Sequence, residues 1–456
     1  MSRRTREATS FIIMALLLFA VGVGQSWSVS LAIVNMCLIS AIMTMGANIQ
    51  WGYAGLVNFG LMGFTALGGL AAVLVSYSPV REAWSVGGIN MIISLLILIA
   101  VIFAIRFVLK FFNKGLKRYL IIFAILLFGL LIINQFYRPA VIAIEDVSPA
   151  KTGFLGGFGL PIIFSWFVGG LLAAGVAFVI GKITLGLRAD YLAIATLGIS
   201  EIVIAVLKHE DWLSRGVKNV IGLKRPVPYE INLQNSDWFI GLITRFYSSK
   251  LELIQSFEAK QKLIYQLVIE GSGIFVKLCY MSLFTIVLLV ILFLSNAALN
   301  SPWGRMMRAI RDNEVSANAM GKDIVRRHLQ VFVLGSAVVG IAGAMLTTQD
   351  GLFTPGSYQP LRFTFLIWVM VIVGGSGNNL GSILGGFVVW FVWIEAAPFA
   401  LFVINLVTSS LDPDNSVKIH LLNSASYFRY LIMGATLLLI MRYRPKGILP
   451  EKTRYV

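Results

Sequence analysis

Asn300-Ser-Pro-Trp-Gly-Arg-Met-Met-Arg-Ala-Ile-Arg-Asp-Asn-Glu-Val-Ser-Ala-Asn-Ala-Met-Gly-Lys-Asp323 is a polar stretch with strongly apolar sequence on both sides. Its length suits two short helices. Ser301 as N-cap and Pro302 in the first turn predict the first helix. The second is predicted to begin at Asn313 and to stop at Gly321. The pattern indicates a membrane-spanning chain that presents a polar docking surface between two membrane segments.

Three arginines recur every third residue in the first of these helices, at Arg305, Arg308 and Arg311. On a helix this spacing places the guanidinium groups along one strip. We expect the strip to steer the docking surface toward an acidic groove on a partner protein.

The composition excludes a soluble globular fold. Hydrophobic residues make up 58% of the 456 residues, charged residues only 13%, and the mean hydropathy is +0.84. Apolar runs near the roughly 20 residues needed to cross a bilayer recur along almost the whole chain. We therefore predict an all-α polytopic membrane protein with about 10–12 hydrophobic segments, the shorter ones candidates for re-entrant segments, in one transmembrane domain over residues 1–456. About twelve runs are centred near residues 18, 38, 65, 100, 127, 170, 199, 286, 340, 368, 392 and 434.

The net charge of +16 does not indicate a nucleic-acid partner, because the basic residues lie at segment ends and in short loops, where membrane topology requires them. With the basic N-terminus of a retained first helix in the cytoplasm, loop 300–327 also falls on that side. The outward loops are then 77–88, 136–159, 208–272 and 407–426. The third is an extended outer loop, and its tail from Trp238 to Glu270 predicts an amphipathic helix.

Enzyme chemistry finds little support in the sequence. Residues 175–183 come nearest to a P-loop but have the wrong spacing and no hydroxyl for magnesium, so we expect no ATP hydrolysis by this chain. We expect no catalytic residues, metal or cofactor. His209, His328 and His420 have no partners at metal-ligand spacing, and Cys37 and Cys279 are predicted to be buried thiols.

A carboxylate lies within an apolar segment at Glu201, with Thr196 and Ser200 nearby as a narrow polar strip. A charge at membrane depth usually faces a pathway or a partner, so these three residues are candidates for a translocation pathway. The alternative is that Glu201 lies at the outer interface, paired with Lys208 or water, while Thr196 bonds to its own backbone.

A second candidate pathway region is Asn48-Ile-Gln-Trp-Gly-Tyr-Ala-Gly-Leu-Val-Asn58, where amides and glycines interrupt a helix pattern. Asn48, Gln50 and Asn58 would line the pathway, because broken helices are tolerated in membranes only where protein or a water-filled cavity satisfies their backbone. A cytoplasmic turn is the alternative. Asn378 and Asn379, within the glycine-rich run 374–381, are candidates of the same kind, or part of a tight interhelical loop.

Two stripes of small residues repeat every four positions. They predict faces on which helices approach closely, and such faces would also let helices slide. The stripes are Gly377, Gly381 and Gly385, and Ser336, Gly340 and Ala344.

Several separated pieces together resemble the M-type permease subunit of high-affinity branched-chain amino-acid ABC importers, in the same order from about residue 30 onward. Glu314-x-x-Ala317-x-Ala319-x-Gly321 is similar to the coupling-loop motif of ABC-importer permeases. The chain is longer than usual for the family between residues 76 and 160 and between 226 and 272. The other pieces are Gln50-Trp-Gly-Tyr-Ala-Gly-Leu56, Leu187 to Ile202, Ser301 to Glu314, Val373-Gly-Gly-Ser-Gly-Asn-Asn-Leu-Gly-Ser-Ile-Leu-Gly385 and Arg444-Pro-Lys-Gly-Ile-Leu449.

The resemblance implies a multi-pass permease of the bacterial inner membrane that pairs with a second, H-type permease, two cytoplasmic ATPases and a periplasmic binding protein. ATP and magnesium would be bound by the ATPases. Glu314, Ala317 and Gly321 would form the docking knob. Many members carry Ser-x-Gly-Gln or Ser-x-Gly-His where this chain has Asn58-Phe-Gly-Leu61. Urea, short amides or other small polar solutes are therefore alternative substrates, and an ion-coupled carrier or a structural membrane protein are alternative classes.

Overall fold

A computed structural model describes residues 3–149, 151–409, 412 and 415–451, and these residues form an almost entirely helical protein. Within them, ten helices are long and apolar enough to cross a bilayer and two apolar helices are shorter. All twelve predicted centres fall within these segments. The first helices are α1 Arg3–Gly24, α2 Trp27–Ala54, α3 Leu61–Ser76, α4 Arg81–Ala83, a π-helical turn Trp84–Gly88, α5 Ile89–Phe111, α6 Leu116–Glu145, α7 Phe164–Thr184 and α8 Ala189–His209.

The second half contains the polar stretch as two helices between membrane segments. The predicted boundaries at Pro302 and Asn313 are confirmed. The helices are α9 Asp211–Ser214, α10 Glu230–Gln234, α11 Asp237–Phe246, α12 Ser248–Glu252, α13 Phe257–Asn300, α14 Pro302–Asp312, α15 Glu314–Ala319, α16 Ile324–Asp350, α17 Pro360–Gly374, α18 Asn379–Val407, α19 Ser416–Ser424 and α20 Phe428–Tyr443. Strands β1 Val220–Ile221 and β2 Leu352–Phe353 pair antiparallel, with Val220 opposite Phe353.

The core is built around α2 and α16, the most deeply buried of the ten long helices, with α3, α7 and α18 packed against them. Small residues make this packing possible, as predicted. A Cβ on Gly68 of α3 would lie 1.9 Å from the carbonyl oxygen of Gly340 on α16, and one on Gly340 would lie 2.5 Å from that of Gly169 on α7. On α18, a Cβ at Gly385 would lie 1.9 Å from the carbonyl oxygen of Met370. The stripe of Gly377, Gly381 and Gly385 is shorter than predicted, because Gly377 has φ +76° and belongs to the turn before α18.

The hairpin of α5 and α6 is peripheral and exposes most of its apolar side chains. Its attachment lies at the C-terminal end of α6. There the Tyr137 hydroxyl donates to Glu210 Oε2 at 2.5 Å, and the Trp212 indole N–H donates to the same oxygen at 2.7 Å. The exposed faces suit contact with lipid.

The predicted loops group at two ends of the bundle. Ala54, Gly55, Arg188 and Arg311 line one common cavity at the predicted cytoplasmic end. At the other end, the Leu155 amide donates to the Trp212 carbonyl at 3.0 Å, and β1 pairs with β2. This grouping agrees with the topology derived from charge.

The outer segment does contain an amphipathic helix, α11, but the prediction that one helix covers residues 238–270 is wrong in extent. The structure instead has the short helices α11 and α12, and then α13 from Phe257, which continues for 44 residues. At about 1.5 Å per residue, a helix of this length exceeds a roughly 30 Å hydrocarbon core and extends beyond it. The polar residues at the start of α13 belong to the same helix as its apolar part, because a continuous helix satisfies its interior backbone hydrogen bonds itself.

Candidate functional site

The chain between α2 and α3 is a true helix break. Gly55 has φ +72° and its N–H donates to the Trp51 carbonyl, while the Leu56 N–H donates to the Gln50 carbonyl, which ends α2. The exposed backbone groups of the break are then satisfied by side chains. Phe59 N–H donates to Thr196 Oγ1 at 3.0 Å, Gly60 N–H to Asn58 Oδ1 at 2.8 Å, and the Trp368 indole to the Asn58 carbonyl at 3.1 Å.

Gln50 links the break to α16. Its Nε2 donates to the Phe332 carbonyl at 2.9 Å and to Ser336 Oγ at 3.1 Å, while its Oε1 accepts from Asn58 Nδ2 at 2.9 Å. Gln50 and Asn58 are each only 1% exposed. The amides therefore hold the interrupted backbone, and their hydrogen-bonding groups are turned toward the protein itself.

A second amide cluster lies at the turn between α17 and α18. Asn48 Oδ1 accepts from Gly377 N–H at 2.9 Å, and Asn379 Nδ2 donates to Asn296 Oδ1 at 2.8 Å. Asn378 caps α18 and donates to the Leu449 carbonyl at 3.0 Å. A polar cavity of about 310 Å³ adjoins this turn.

The structure separates the predicted strip on α8. Thr196 and Ser200 are 2% exposed and face α3, where a Cβ on Gly63 would lie 3.0 Å from Ser200 Oγ. Among the described residues, Ser200 Oγ has no hydrogen-bond partner. Glu201 points elsewhere, because it is exposed on the outside of the bundle. It forms no ion pair within the described part of the chain.

The two polar helices fold onto the end of α13. A Cβ on Gly304 would lie 2.3 Å from the Leu299 carbonyl oxygen, so the chain turns sharply there. Ser301 flanks α14 as predicted, but its hydroxyl donates to the Ala298 carbonyl at 2.6 Å and caps nothing. Asn313 does cap α15 by accepting from Ser316 N–H at 2.9 Å, and Gly321 has φ +72°.

The three arginines of α14 differ in their surroundings. Arg305 is exposed and donates to the Asn300 carbonyl at 3.3 Å. Arg308 donates to the Leu299 carbonyl at 3.1 Å. Arg311 is half-buried and bonds to Glu451 Oε2 at 2.9 Å, to Asp312, and to the Gly52 carbonyl at the end of α2. Burial alone would lower the pKa of Arg311, but the contacts with Glu451 and Asp312 raise it above its ordinary value.

The tail 448–451 has a structural role that the sequence analysis missed. Ile448 N–H donates to the Val373 carbonyl and Leu449 N–H to the Gly374 carbonyl, both at 2.9 Å. The tail thus carries Glu451 beneath the α17–α18 turn to Arg311. In the sequence, this role is marked only by the segment Arg444 to Leu449, whose resemblance to the permease family does not indicate a contact with α14.

The surface of α15 is unusual for a segment outside the membrane. Val315 and Met320 are 81% and 79% exposed, Glu314 is exposed beside them, and Ala317 is buried at 9%. Glu314 Oε1 lies 3.7 Å from His328 Nδ1. Exposed apolar side chains with a polar surround are typical of protein–protein contact surfaces.

Buried amide clusters lie at the break between α2 and α3 and at the turn between α17 and α18, and a polar helix pair connects α13 to α16. These features, with ten helices among the described residues long and apolar enough to cross a bilayer, define a multi-pass membrane protein. Residues 143–441 match the family described as branched-chain amino acid transport system / permease component. The chain belongs to this family.

Three relatives carry related names. The chain is 32% identical over 167 residues to the probable branched-chain amino acid transport permease protein LivM of Methanocaldococcus jannaschii, covering 37% of this chain and 45% of that protein. It is 26% identical over 288 residues to the high-affinity branched-chain amino acid transport system permease protein LivM of Escherichia coli, covering 62% and 56%. The Salmonella typhimurium protein of the same name is 26% identical over 286 residues. The chain thus spans about half the length of these relatives, and no solved structure matches it.

Proposed function

We propose that the chain is one permease subunit of an ATP-driven importer of branched-chain amino acids in the plasma membrane. It pairs with a second permease, and two separate cytoplasmic ATPases bind ATP and magnesium and hydrolyse the nucleotide. A binding protein delivers substrate to the outer face. Family membership and the relatives' names support the substrate. The observation that carries the coupling is the exposed surface of α15, which lies between membrane helices and has apolar side chains directed away from the bundle.

Docking would use Glu314, Ala317 and Gly321 as the knob, with Val315 and Met320 as apolar anchors in a groove of the ATPase. Arg305, on the exposed strip of α14, would steer the approach. Arg308 and Arg311 bond mainly to the chain itself. Arg308 would hold α14 to the end of α13, and Arg311 would carry movement of the knob to the end of α2 at Gly52 and Gly55.

The pathway would run along the face of α8 that exposes Glu201. A carboxylate in contact with hydrocarbon is costly, so a second permease or a water-filled path should cover this face. The amides of the two clusters, Asn48, Gln50, Asn58, Asn378 and Asn379, together with Thr196 and Ser200, would support the inner wall. They would act by holding the broken helices in place, since their polar groups face the protein.

The test is ATP-dependent uptake of labelled leucine by vesicles that contain this chain, its co-purifying subunits and the binding protein. Urea and acetamide serve as competitors. Uptake that needs ATP and resists both competitors is expected. Displacement of leucine by urea or acetamide would favour the small-amide alternative, and uptake that follows an ion gradient without ATP would contradict the proposal.

A further inference from the structure

A further cavity lies in the helix bundle, away from the exposed face of α8. It has a volume of about 170 Å³ and is lined by α2, α3, α16, α17, α18 and the turn before α17. Its polar residues are Ser40 on α2, Asp350 at the end of α16, and Ser357 and Tyr358 in the turn. Asp350 and Ser357 are exposed, so the cavity is open at this end. In the topology given above, α16 runs outward, so this polar end faces the side on which substrate would arrive.

Asp350 is an exposed carboxylate at the mouth of the cavity. It lies at the C-terminal end of a 27-residue helix, where the helix dipole also contributes negative potential. Arg225 is nearby, since its Nε would lie 3.8 Å from a Cβ on Gly351, but Arg225 is paired with Glu230 at 3.1 Å. Among the described residues, none forms a salt bridge with Asp350. The position therefore favours a positively charged ligand group.

The remainder of the cavity suits a branched aliphatic group. Apolar residues form most of its wall, including four methionines at Met36, Met43, Met62 and Met370. An engineered apolar cavity of about 150 Å³ holds benzene, so this space accepts a four-carbon side chain with room for the α-carbon toward Asp350. Methionine side chains are flexible and adapt to differently branched groups.

Trp390 also lines the cavity. Its indole N–H has no acceptor among the described residues and has no accessible surface, so the ring must turn for a ligand to reach it. A buried donor of this kind is costly to leave unpaired. A ligand carboxylate reached by such a turn would satisfy it.

From these three features we infer that the cavity is a binding site, within this single subunit, for one aliphatic α-amino acid. The ligand's ammonium group pairs with Asp350, its side chain lies among the methionines, and its carboxylate accepts from Trp390. The inference rests on the proposed import of branched-chain amino acids and adds to it a site separate from the Glu201 face. Trp368, which follows the cavity residue Ile367, donates to the carbonyl of Asn58. A bound ligand would therefore contact the residue next to one that holds the helix break.

The experiment measures equilibrium binding of labelled leucine to the purified complex that contains this chain, without nucleotide or binding protein. Three competitors divide the ligand into its parts. Isoamylamine keeps the ammonium and the branched chain, 4-methylpentanoate keeps the carboxylate and the branched chain, and glycine lacks the side chain. We expect isoamylamine to compete, and glycine and 4-methylpentanoate to compete far more weakly, because Asp350 repels an unpaired carboxylate.

The key variant is Asp350→Asn, expected to weaken leucine binding at least about tenfold through loss of a charge-assisted contact. Asp237→Asn is the matched control, since Asp237 is an exposed acid at the start of α11 and does not line the cavity. Met43→Phe should also weaken leucine by filling the space. Equal affinity in Asp350→Asn and wild type overturns the inference. So does absence of saturable leucine binding in a complex that imports leucine.

If the Asp350→Asn variant does not assemble, the Trp390→Phe variant tests whether leucine binds in the cavity. It should weaken leucine severalfold while the affinity for isoamylamine stays unchanged, because only leucine has the carboxylate. Unchanged leucine affinity in this variant overturns the inference. A wild-type complex that imports no leucine contradicts the proposed function, and binding to the same sample still reports on the cavity.

Discussion

Arg311 on α14 and Glu451 in the tail form an ion pair, with 2.9 Å between Nη1 and Oε2, and each side chain is 23% exposed. The same guanidinium donates to the carbonyl of Gly52 at the end of α2. One cation therefore joins the polar helix pair, the tail and the end of the helix that precedes the break. Any displacement of α14 must move these parts together or break the pair.

Replacing Arg311 with Met should remove this junction. Because the contacts are partly shielded from water, we expect a loss of about 1–3 kcal/mol in the free energy of unfolding, on the scale of hydrogen bonds to charged groups. Thermal unfolding in detergent measures this, with the exposed Arg326→Met as control. A double-mutant cycle with Glu451→Gln isolates the pair. Full additivity of the two variants would show that the pair contributes nothing.

The pH dependence of this contact follows from the raised pKa of Arg311. A cation whose pKa is higher in the folded state contributes stability that is complete below the unfolded pKa and is lost only as pH rises through the folded pKa. Both values lie above the physiological range. The Arg311 side of the pair should therefore make no difference to stability between about pH 6 and 9.

Charge reversal at Glu314 tests the docking surface. Glu314→Lys should leave membrane insertion intact but abolish transport-coupled ATPase activity, because it places a cation on the exposed face of α15. Glu252→Lys, an exposed reversal at the end of α12 on the other side of the bundle, is the matched control. If transport-coupled ATPase activity is unchanged in the Glu314 variant, the exposed face of α15 is not the docking surface.

Gln50→Leu tests whether the buried amides support the helix break. The variant leaves the Phe332 carbonyl, Ser336 Oγ and the Asn58 amide each without one partner, and we expect a destabilisation of about 2–4 kcal/mol from these lost hydrogen bonds. Adding Asn58→Leu should cost less than the sum of the two single variants, since one of the orphaned groups disappears. Strict additivity in unfolding measurements would argue that the two amides act independently.

Helix packing offers a matched pair of glycines. Gly68→Ala would place a Cβ 1.9 Å from the Gly340 carbonyl oxygen, so α3 and α16 must separate, at a cost of about 1–3 kcal/mol. Gly175 on α7 has no atom within 4 Å of its Cβ position. Gly175→Ala should stabilise by roughly 0.5–1 kcal/mol through helix propensity. We expect the Gly68→Ala variant to melt below the wild type and the Gly175→Ala variant above it. The reverse order would contradict the close packing of α3 on α16.

Accessibility of position 201 separates a water-filled pathway from lipid contact. In a variant with Cys37 and Cys279 replaced, Glu201→Cys should react with a charged, membrane-impermeant thiol reagent in the assembled complex. Phe128→Cys, on the exposed face of α6, should not. Equal resistance at the two positions would place Glu201 outside any aqueous path.

The apolar periodicity of the sequence was enough to predict the twelve segments, because membrane helices must satisfy their backbone internally and cannot be short of apolar residues. The polar helix pair was also predictable, from Pro302, Asn313 and Gly321. The sequence could not show which residues contact one another in the fold. Glu201 and Ser200 are adjacent in sequence but face different surroundings, and that difference is set by the packing of α3 on α8.

The same limit explains the missed residues. The Arg311–Glu451 pair joins positions far apart in sequence, and nothing local marks either member as a partner of the other. Asp350 escaped notice because it ends an apolar helix and reads as a boundary residue. Only the folded chain brings it to a cavity with four methionines and Trp390.

The helix break between α2 and α3 also constrains how the protein is made. Two of its backbone groups are satisfied by side chains that are synthesised much later. Phe59 N–H donates to Thr196, and Trp368, 310 residues after Asn58, donates to the Asn58 carbonyl. These two groups therefore gain their protein partners only after α8 and α17 have been synthesised and packed, and a chain interrupted before residue 368 leaves the Asn58 carbonyl without its indole donor.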